Sequence, residues 1–119
     1  IGVLAQRLVR SLCRQCMQPR EIDPATRDWL GAEAAAASTI YEAVGCDACN
    51  RMGYRGRTAI YELVVIDDVM RRLIHDGASE QDLEAHARRH SPSLGEVGRR
   101  AVLAGLTTPE ELLRVTQLA

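Results

Sequence analysis

Cys13-Arg-Gln-Cys16 and Cys46-Asp-Ala-Cys49 are the two stretches that decide how this chain folds. Each is a pair of cysteines separated by two residues, and 29 residues, 17 to 45, lie between the pairs. Zn²⁺ takes four thiolates in a tetrahedron, and a tight turn across two residues aims both sulfurs of a pair at one ion. The spacing therefore predicts that Cys13, Cys16, Cys46 and Cys49 bind one structural zinc ion.

Other uses of four cysteines remain open at this point. Two disulfides would need an oxidising compartment, and nothing in the sequence suggests secretion. A redox C-x-x-C motif would lie at the end of a strand in a βαβ unit and would not need a second pair. A catalytic zinc is disfavoured, because four thiolates close the coordination shell and leave no position for water.

The composition limits the size of the core and the choice of partners. The chain has 119 residues, of which 46% are hydrophobic and only 3% aromatic, with no Phe. Its core must be built from Leu, Val, Ile and Ala, so a metal staple would add useful stability. The net charge of −1 gives no electrostatic support for nucleic-acid binding, and no apolar run reaches the length of a membrane span.

The first 66 residues predict a small α/β subdomain. Apolar residues near helical spacing predict a helix over residues 3–12 that leads into the first cysteine pair. Residues that favour β-structure predict strands at Thr39–Val44 and Arg57–Val65. The simplest arrangement is a hairpin of these two strands with Cys46–Cys49 at its tip.

Helix starts are marked by capping residues. Side chains that can accept a hydrogen bond from the first turn predict five helices, which begin after Asp23, Asp67, Ser79, Ser93 and Thr108. Four of them follow Ile66. We therefore expect an α+β, mainly helical fold, with a zinc-stapled α/β subdomain over residues 1–66 and a helical subdomain over residues 67–119.

Two longer stretches carry a family resemblance. The run Leu4-Ala-Gln-Arg-Leu-Val-Arg-Ser-Leu-Cys-Arg-Gln-Cys16 and the block from Val44 through Gly53-Tyr-Arg-Gly-Arg57 to Leu63 resemble the C-terminal part of the secretion ATPases. These proteins power type II secretion and type IV pilus assembly. The chain looks most like the type II secretion E component, and the resemblance covers nearly all of it.

The resemblance implies a parent protein larger than this chain. In that family a tetracysteine zinc region follows a RecA-like ATPase core, which would lie upstream of Ile1. The parent would be a hexameric cytoplasmic ATPase that uses ATP and Mg²⁺. Its partners would be the other subunits of the hexamer and inner-membrane proteins of the secretion platform, without nucleic acid and without direct insertion into the membrane. No Walker motif lies in these residues, so we expect no enzyme activity from this chain alone.

Four arginines are candidates for contact with a neighbouring subunit or a nucleotide. Arg7 and Arg10 are expected on one face of the first predicted helix, and Arg55 and Arg57 flank Gly56 beside the second cysteine pair. For Arg7 and Arg10, a solvated face or pairing with a carboxylate is the favoured explanation. For Arg55 and Arg57, screening of the thiolates or plain surface exposure would also explain their positions. Two rival functions also stay open, namely an independent zinc-ribbon nucleic-acid binder and a thiol oxidoreductase.

The remaining polar and aromatic residues are expected to have structural roles. Glu62 should be the salt-bridge partner of an arginine, and Trp29 should anchor the segment between the cysteine pairs against them. The three histidines, His75, His86 and His90, have no ligand spacing relative to the cysteines. We expect them at the surface or at its boundary.

Overall fold

The structure, a computed structural model, describes residues 2–31 and 39–116. In these residues it contains four strands and five helices. In chain order these are β1 (Gly2–Leu12), β2 (Gln18–Glu21), α1 (Pro24–Leu30), β3 (Thr39–Glu42), β4 (Tyr54–Val65), α2 (Asp68–His75), α3 (Glu80–Arg88), α4 (Leu94–Leu103) and α5 (Pro109–Thr116). The α+β class predicted from the sequence is confirmed. The Ala-rich residues 32–38 between the cysteine pairs lie outside the described residues.

The long strands β1 and β4 pair with each other in an antiparallel ribbon. Gly2 lies opposite Val65 and Arg10 opposite Arg57, and the register shifts between Arg10 and Leu12. Alternate residues face opposite sides of such a ribbon. One side, which includes Val9 and Ile60, faces the core, whereas the other carries exposed apolar side chains at Leu4, Leu8, Tyr61, Leu63 and Val65.

The helix predicted over residues 3–12 is wrong, because this segment is β1. The helical spacing of Leu4, Leu8 and Leu12 placed them on one buried face, but Leu4 and Leu8 are 60% and 50% exposed. Val9 and Leu12 are both buried although they are three apart, since the register shift before Leu12 turns it inward. Pairing with β4 satisfies the backbone of the segment and overrides its local pattern.

The predicted hairpin of β3 and β4 is also wrong. β3 pairs with β2 in a separate two-stranded antiparallel sheet, with Gln18 opposite Glu42 and Glu21 opposite Thr39. The second cysteine pair lies on a 3-10 turn, Asp47–Cys49, between β3 and β4. It therefore joins two sheets, and no hairpin carries it at its tip.

The helix caps follow the sequence closely. Side-chain oxygens of Asp23, Asp67, Ser79 and Ser93 accept hydrogen bonds from the third residue after each, and the Thr108 hydroxyl accepts from the Glu111 N–H. These contacts satisfy backbone donors that the first turn leaves unpaired. In the described ranges, no helix combines the length and apolar character needed to cross a bilayer.

The main apolar core draws on both halves of the chain. It contains residues of β1, β3 and β4 (Val9, Ile40, Ile60), Ile22 and Leu30 near α1, and residues of α4 and α5 (Val102, Leu112, Val115). Trp29 packs against this core. The segment that precedes Ile66 and the segment that follows it thus share one core, although the change from strand patterns to capped helices predicted a division there.

Candidate metal centre

The four cysteines lie together in a second, smaller buried cluster. The Sγ atoms of Cys13 and Cys46 are 3.7 Å apart, and those of Cys16 and Cys49, and of Cys46 and Cys49, are both 3.8 Å apart. Sulfurs about 2.3 Å from a tetrahedral zinc ion lie about 3.8 Å from one another. The donor set and its spacing therefore fit a tetrahedral thiolate site. The four residues lie together, as the sequence pattern predicted.

The cysteines lie on short segments, one directly after β1 and the other before β4. Cys13 follows β1 directly, and its N–H donates to the Gly53 carbonyl at 3.0 Å, which joins the two cysteine turns. The preceding N–H, of Leu12, donates to the Leu106 carbonyl at 2.9 Å and ties the same point to the loop after α4. The site is thus fixed to the ribbon and to the helical half at once.

Backbone N–H groups surround the sulfurs. Gly45 donates to Cys16 Sγ at 3.3 Å, while Cys46 and Gly53 each donate to Cys49 Sγ at 3.2 Å. Such hydrogen bonds stabilise thiolates and orient them for a metal. These backbone donors belong to the site, but the cysteine pattern alone does not predict them.

The thiol pKa values reflect this uneven supply of donors. Burial raises the pKa of Cys49, but the N–H groups of Cys46 and Gly53 outweigh burial, and the pKa falls to about 6. Burial raises the pKa of Cys16 to about 11, since Gly45 alone does not offset it. Metal ligands bind as thiolates, so an ion would replace the proton that Cys16 otherwise keeps.

Two glycines are required for the turn that holds the second cysteine pair. Gly45 has φ +115°, and a Cβ there would lie 2.7 Å from the Arg51 carbonyl oxygen. Gly53 has φ +82°, and a Cβ there would lie 2.6 Å from the Ala43 Cβ. Only glycine adopts these angles without strain and also leaves this space free. A glycine next to a cysteine pair, here Gly45 before Cys46, was a signal available in the sequence.

The four cysteines form no disulfide with one another, because sulfurs 3.7–3.8 Å apart are too distant for an S–S bond of about 2.0 Å, so the alternative of two disulfides does not fit. Three of them, Cys13, Cys16 and Cys49, are buried, and Cys46 is partly exposed. The cluster could hold a metal ion. A buried set of four soft sulfur ligands suits Zn²⁺ or an iron–sulfur centre better than it suits Mg²⁺ or Ca²⁺.

Arg7 and Arg10 do not share a helix face, because β1 is a strand and residues three apart point to opposite sides of it. Arg7 is partly exposed and donates to the Gln6 carbonyl at 2.9 Å. The Arg10 guanidinium lies 4.3 Å from the centre of the Tyr54 ring and forms an ion pair with Glu111 at 3.0 Å. Their role in subunit or nucleotide contacts stays a prediction.

Arg55 and Arg57 are exposed near the start of β4, the strand that follows the second cysteine pair. Arg55 lines a cavity of about 330 Å³ together with Cys13 and Arg14. Arg57 lies opposite Arg10 in the ribbon. Both are therefore available to a partner, and contact with one remains a prediction.

The structural roles expected for three other residue types are settled by the structure. Glu62 pairs with Arg88, as predicted, and its other oxygen accepts from the Leu94 N–H at 3.0 Å. Trp29 packs against the main core and not against the cysteine cluster. His75 and His90 are exposed as expected, whereas His86 is buried and lies 3.0 Å from the Asp67 carboxylate.

The fold and the site define an α+β module organised around a tetracysteine metal-type cluster. The profile of the family described as "Type II/IV secretion system protein" matches residues 1–114. This chain belongs to that family, as its sequence resemblance predicted.

Three relatives illustrate the similarity. The chain is 56% identical over 117 residues to a type II secretion system protein E of Pseudomonas aeruginosa and 45% identical over 117 residues to a type II secretion system ATPase E of Vibrio cholerae. Each alignment covers 98% of this chain and 23% of the relative. It is also 42% identical over 119 residues to the type IV pilus assembly ATPase PilB of Thermus thermophilus, again over 98% of this chain but only 13% of the relative. The chain thus spans about a quarter or less of the length of these relatives.

Proposed function

We propose that this chain is the zinc-stapled module of a cytoplasmic, hexameric ATPase that drives type II protein secretion. The observation that carries the proposal is the four-sulfur cluster at 3.7–3.8 Å spacing in a chain of this family. The ion would hold the first cysteine pair, after β1, to the second pair, before β4. Its contribution is structural, and ATP hydrolysis with Mg²⁺ would take place in other parts of the parent protein.

Zinc is the proposed ion because the site supplies four sulfurs and a ring of backbone donors. Zn²⁺ tolerates a closed tetrahedral shell and does not change oxidation state. The N–H groups of Gly45, Cys46 and Gly53 offset the negative charge that four thiolates leave. Iron in this site would change colour and redox behaviour, so the two ions are easily distinguished.

The outer face of the β1–β4 ribbon supports a role within a larger protein. Its apolar side chains are about half exposed or more, between 48% for Leu63 and 60% for Leu4. Contiguous apolar surface of this kind usually marks an interface. We propose that the remainder of the parent ATPase covers this face, while Arg55 and Arg57 beside the cysteines face a neighbouring subunit or a platform protein at the inner membrane.

The relation to PilB supports one second candidate, a module of a pilus assembly ATPase. Complementation separates the two: the parent gene should restore protein secretion, and not pilus assembly, in strains that lack the respective ATPase. Restoration of pili alone would favour the second candidate.

The proposal is tested in the full-length parent protein with Cys46→Ser. We expect loss of one zinc ion per chain and loss of secretion, while the adjacent exposed substitution Asp47→Ser keeps both. The isolated 119-residue chain should not hydrolyse ATP. Secretion at the normal level by a zinc-free Cys46→Ser protein would contradict the proposal.

A further inference from the structure

A second cluster of metal-type ligands lies where the start of α2 meets the end of α3. It consists of Asp67, His86 and His90, whose ligand atoms all lie within 4.8 Å of one another. We propose that this cluster binds one divalent transition-metal ion through two imidazoles and one carboxylate. The bound ion would tie the first residue before α2 to the turn that follows α3.

The two histidines have the spacing that one helical turn offers to a single ion. His86 lies in the last turn of α3, and His90 is four residues later, where its N–H donates to the Ala87 carbonyl at 3.1 Å. The ring centres are 5.0 Å apart and the rings are inclined by 69°. Side chains four residues apart on a helical turn lie on one face, the arrangement by which a helix presents two imidazoles to zinc.

Asp67 supplies the third ligand from a fixed position. Its Oδ1 caps α2 by accepting from the Met70 N–H at 2.7 Å, and both carboxylate oxygens lie 3.0 Å from His86 Nε2. The N–H of Met70 and the ring of His86 hold the pKa of Asp67 below its usual range. The carboxylate is therefore ionised at neutral pH and ready to bind a cation.

The surroundings leave room for an ion and a path to it. A cavity of about 180 Å³ borders all three side chains and the end of β4. His86 is 7% exposed, whereas His90 is exposed and opens the cluster to solvent. Ligands of two imidazoles and one carboxylate favour Zn²⁺ and related transition ions over Mg²⁺ or Ca²⁺.

An ion at this cluster would take a lone pair from one nitrogen of each imidazole. His86 would therefore bind it through an Nε2 that carries no proton, with the ring proton on Nδ1. A plain hydrogen bond between His86 and Asp67 would need no contribution from His90, and this difference makes the proposal testable.

The test is a calorimetric titration of the 119-residue chain with Zn²⁺ after the cysteine site has been filled with one equivalent. We expect a second equivalent to bind, and His90→Gln to weaken that event roughly tenfold or more, since loss of even a supporting contact at a metal site costs about that much. His75→Gln is the matched control, an exposed histidine on α2 outside the cluster. It should leave the second event unchanged. His90 is exposed, so its replacement should leave the far-ultraviolet circular dichroism spectrum unchanged.

Two results would overturn the proposal: saturation at one equivalent in the unsubstituted chain, or a second equivalent of equal affinity in His90→Gln. The same titration with Co²⁺ separates the two sites. Thiolate ligands give intense charge-transfer bands, whereas imidazole and carboxylate ligands give only weak visible bands. Failure of the cysteine site would thus appear as missing charge-transfer bands, independently of the event that depends on His90.

Discussion

At the scale of single residues, Glu111 shows how one buried charge joins two distant parts of the chain. Its side chain is fully buried, and it accepts from the Arg10 N–H at 2.8 Å and pairs with the guanidinium groups of Arg10 and Arg114. The contact links α5 to β1 across 101 residues. Because β1 continues into Cys13, this carboxylate also steadies the strand that delivers the first cysteine pair.

Glu111→Gln should destabilise the protein and flatten its response to acid. Burial raises the pKa of Glu111, but the donors from Arg114 and Arg10 outweigh burial and lower it from 4.5 to about 2. A depressed pKa stabilises the folded state above the unfolded value, and this stability is lost as the pH falls from about 5 towards 2. Urea unfolding at pH 7 should show a loss of about 1.5–3 kcal/mol in the variant, the range for hydrogen bonds to a charged group.

The same unfolding experiment between pH 5 and pH 2 provides the control for that prediction. The unsubstituted chain should lose more stability over this interval than Glu111→Gln does. Parallel pH profiles of the two proteins would show that the carboxylate does not have the role assigned to it.

Gly53→Ala should weaken metal binding at the cysteine cluster. The residue has φ +82°, its N–H donates to Cys49 Sγ, and an added Cβ would lie 2.6 Å from the Ala43 Cβ. Displacement of a donor to a metal ligand costs roughly 10–100-fold in affinity. Competition with a chelator measures the change.

Gly56→Ala is the matched control for this substitution. Gly56 also has positive φ, at +80°, but nothing lies within 4 Å of its Cβ position. The Gly56→Ala variant should lose about 1–2 kcal/mol of stability from backbone strain alone and should keep its metal affinity. Equal metal affinity in the two variants would show that Gly53 does not support metal binding.

At the scale of elements, the helix caps could be predicted from the sequence, whereas the strand β1 could not. The helix caps were predictable because each depends on a side chain and a backbone group three residues away, as at Ser79 and Asp82. The identity of β1 was not, because Leu4 and Leu8 are apolar yet lie on the exposed face. Nothing local marks that face, and only the pairing with β4 decides it.

The cysteine cluster could also be predicted, because each C-x-x-C pair is a short-range pattern typical of metal ligands. The segments that surround the cluster could not. Two C-x-x-C pairs specify a tetrahedral set of ligands almost regardless of the fold. The pairing of β2 with β3, and the meeting of Asp67 with His86, depend on contacts between segments far apart in sequence. Such contacts leave no short-range signature.

The two faces of the ribbon should respond very differently to truncation. Ile60 is 2% exposed in the main core, and Leu63 on the other face is 48% exposed. Ile60→Ala should cost about 2–5 kcal/mol of unfolding free energy, whereas Leu63→Ala should cost less than about 1 kcal/mol in the isolated chain. Denaturant unfolding of both variants checks this, and similar losses would mean that the inner face has been misassigned.

At the scale of the whole molecule, the chain measures 56 × 28 × 20 Å and has two centres of organisation. The apolar core joins β1, β3 and β4 to α4 and α5, while the cysteine cluster joins the turns after β1 and before β4. Helices α2 and α3, both fully within the described residues, contribute no residue to this main core, and they contact each other. A core of aliphatic residues in an elongated chain would gain stability from a metal ion that crosslinks the two cysteine turns.

Removal of the metal should therefore loosen the molecule unevenly. We expect a chelator to remove hydrogen-exchange protection around Cys13 and Cys49 first, while α2 and α3 keep theirs because they do not contact the cysteines. The proposed division near Ile66 would be supported by this pattern. Simultaneous loss of protection throughout the chain would show one cooperative unit instead.

The most direct test of the account is the metal content of the purified chain, measured with its thermal unfolding. We expect one zinc ion per chain at the cysteine cluster, lost in Cys46→Ser, with a fall in the unfolding midpoint of roughly 15 °C, corresponding to about 4 kcal/mol of linked binding free energy. Four freely reactive thiols without metal, iron in place of zinc, or an unfolding midpoint unchanged by Cys46→Ser would contradict it.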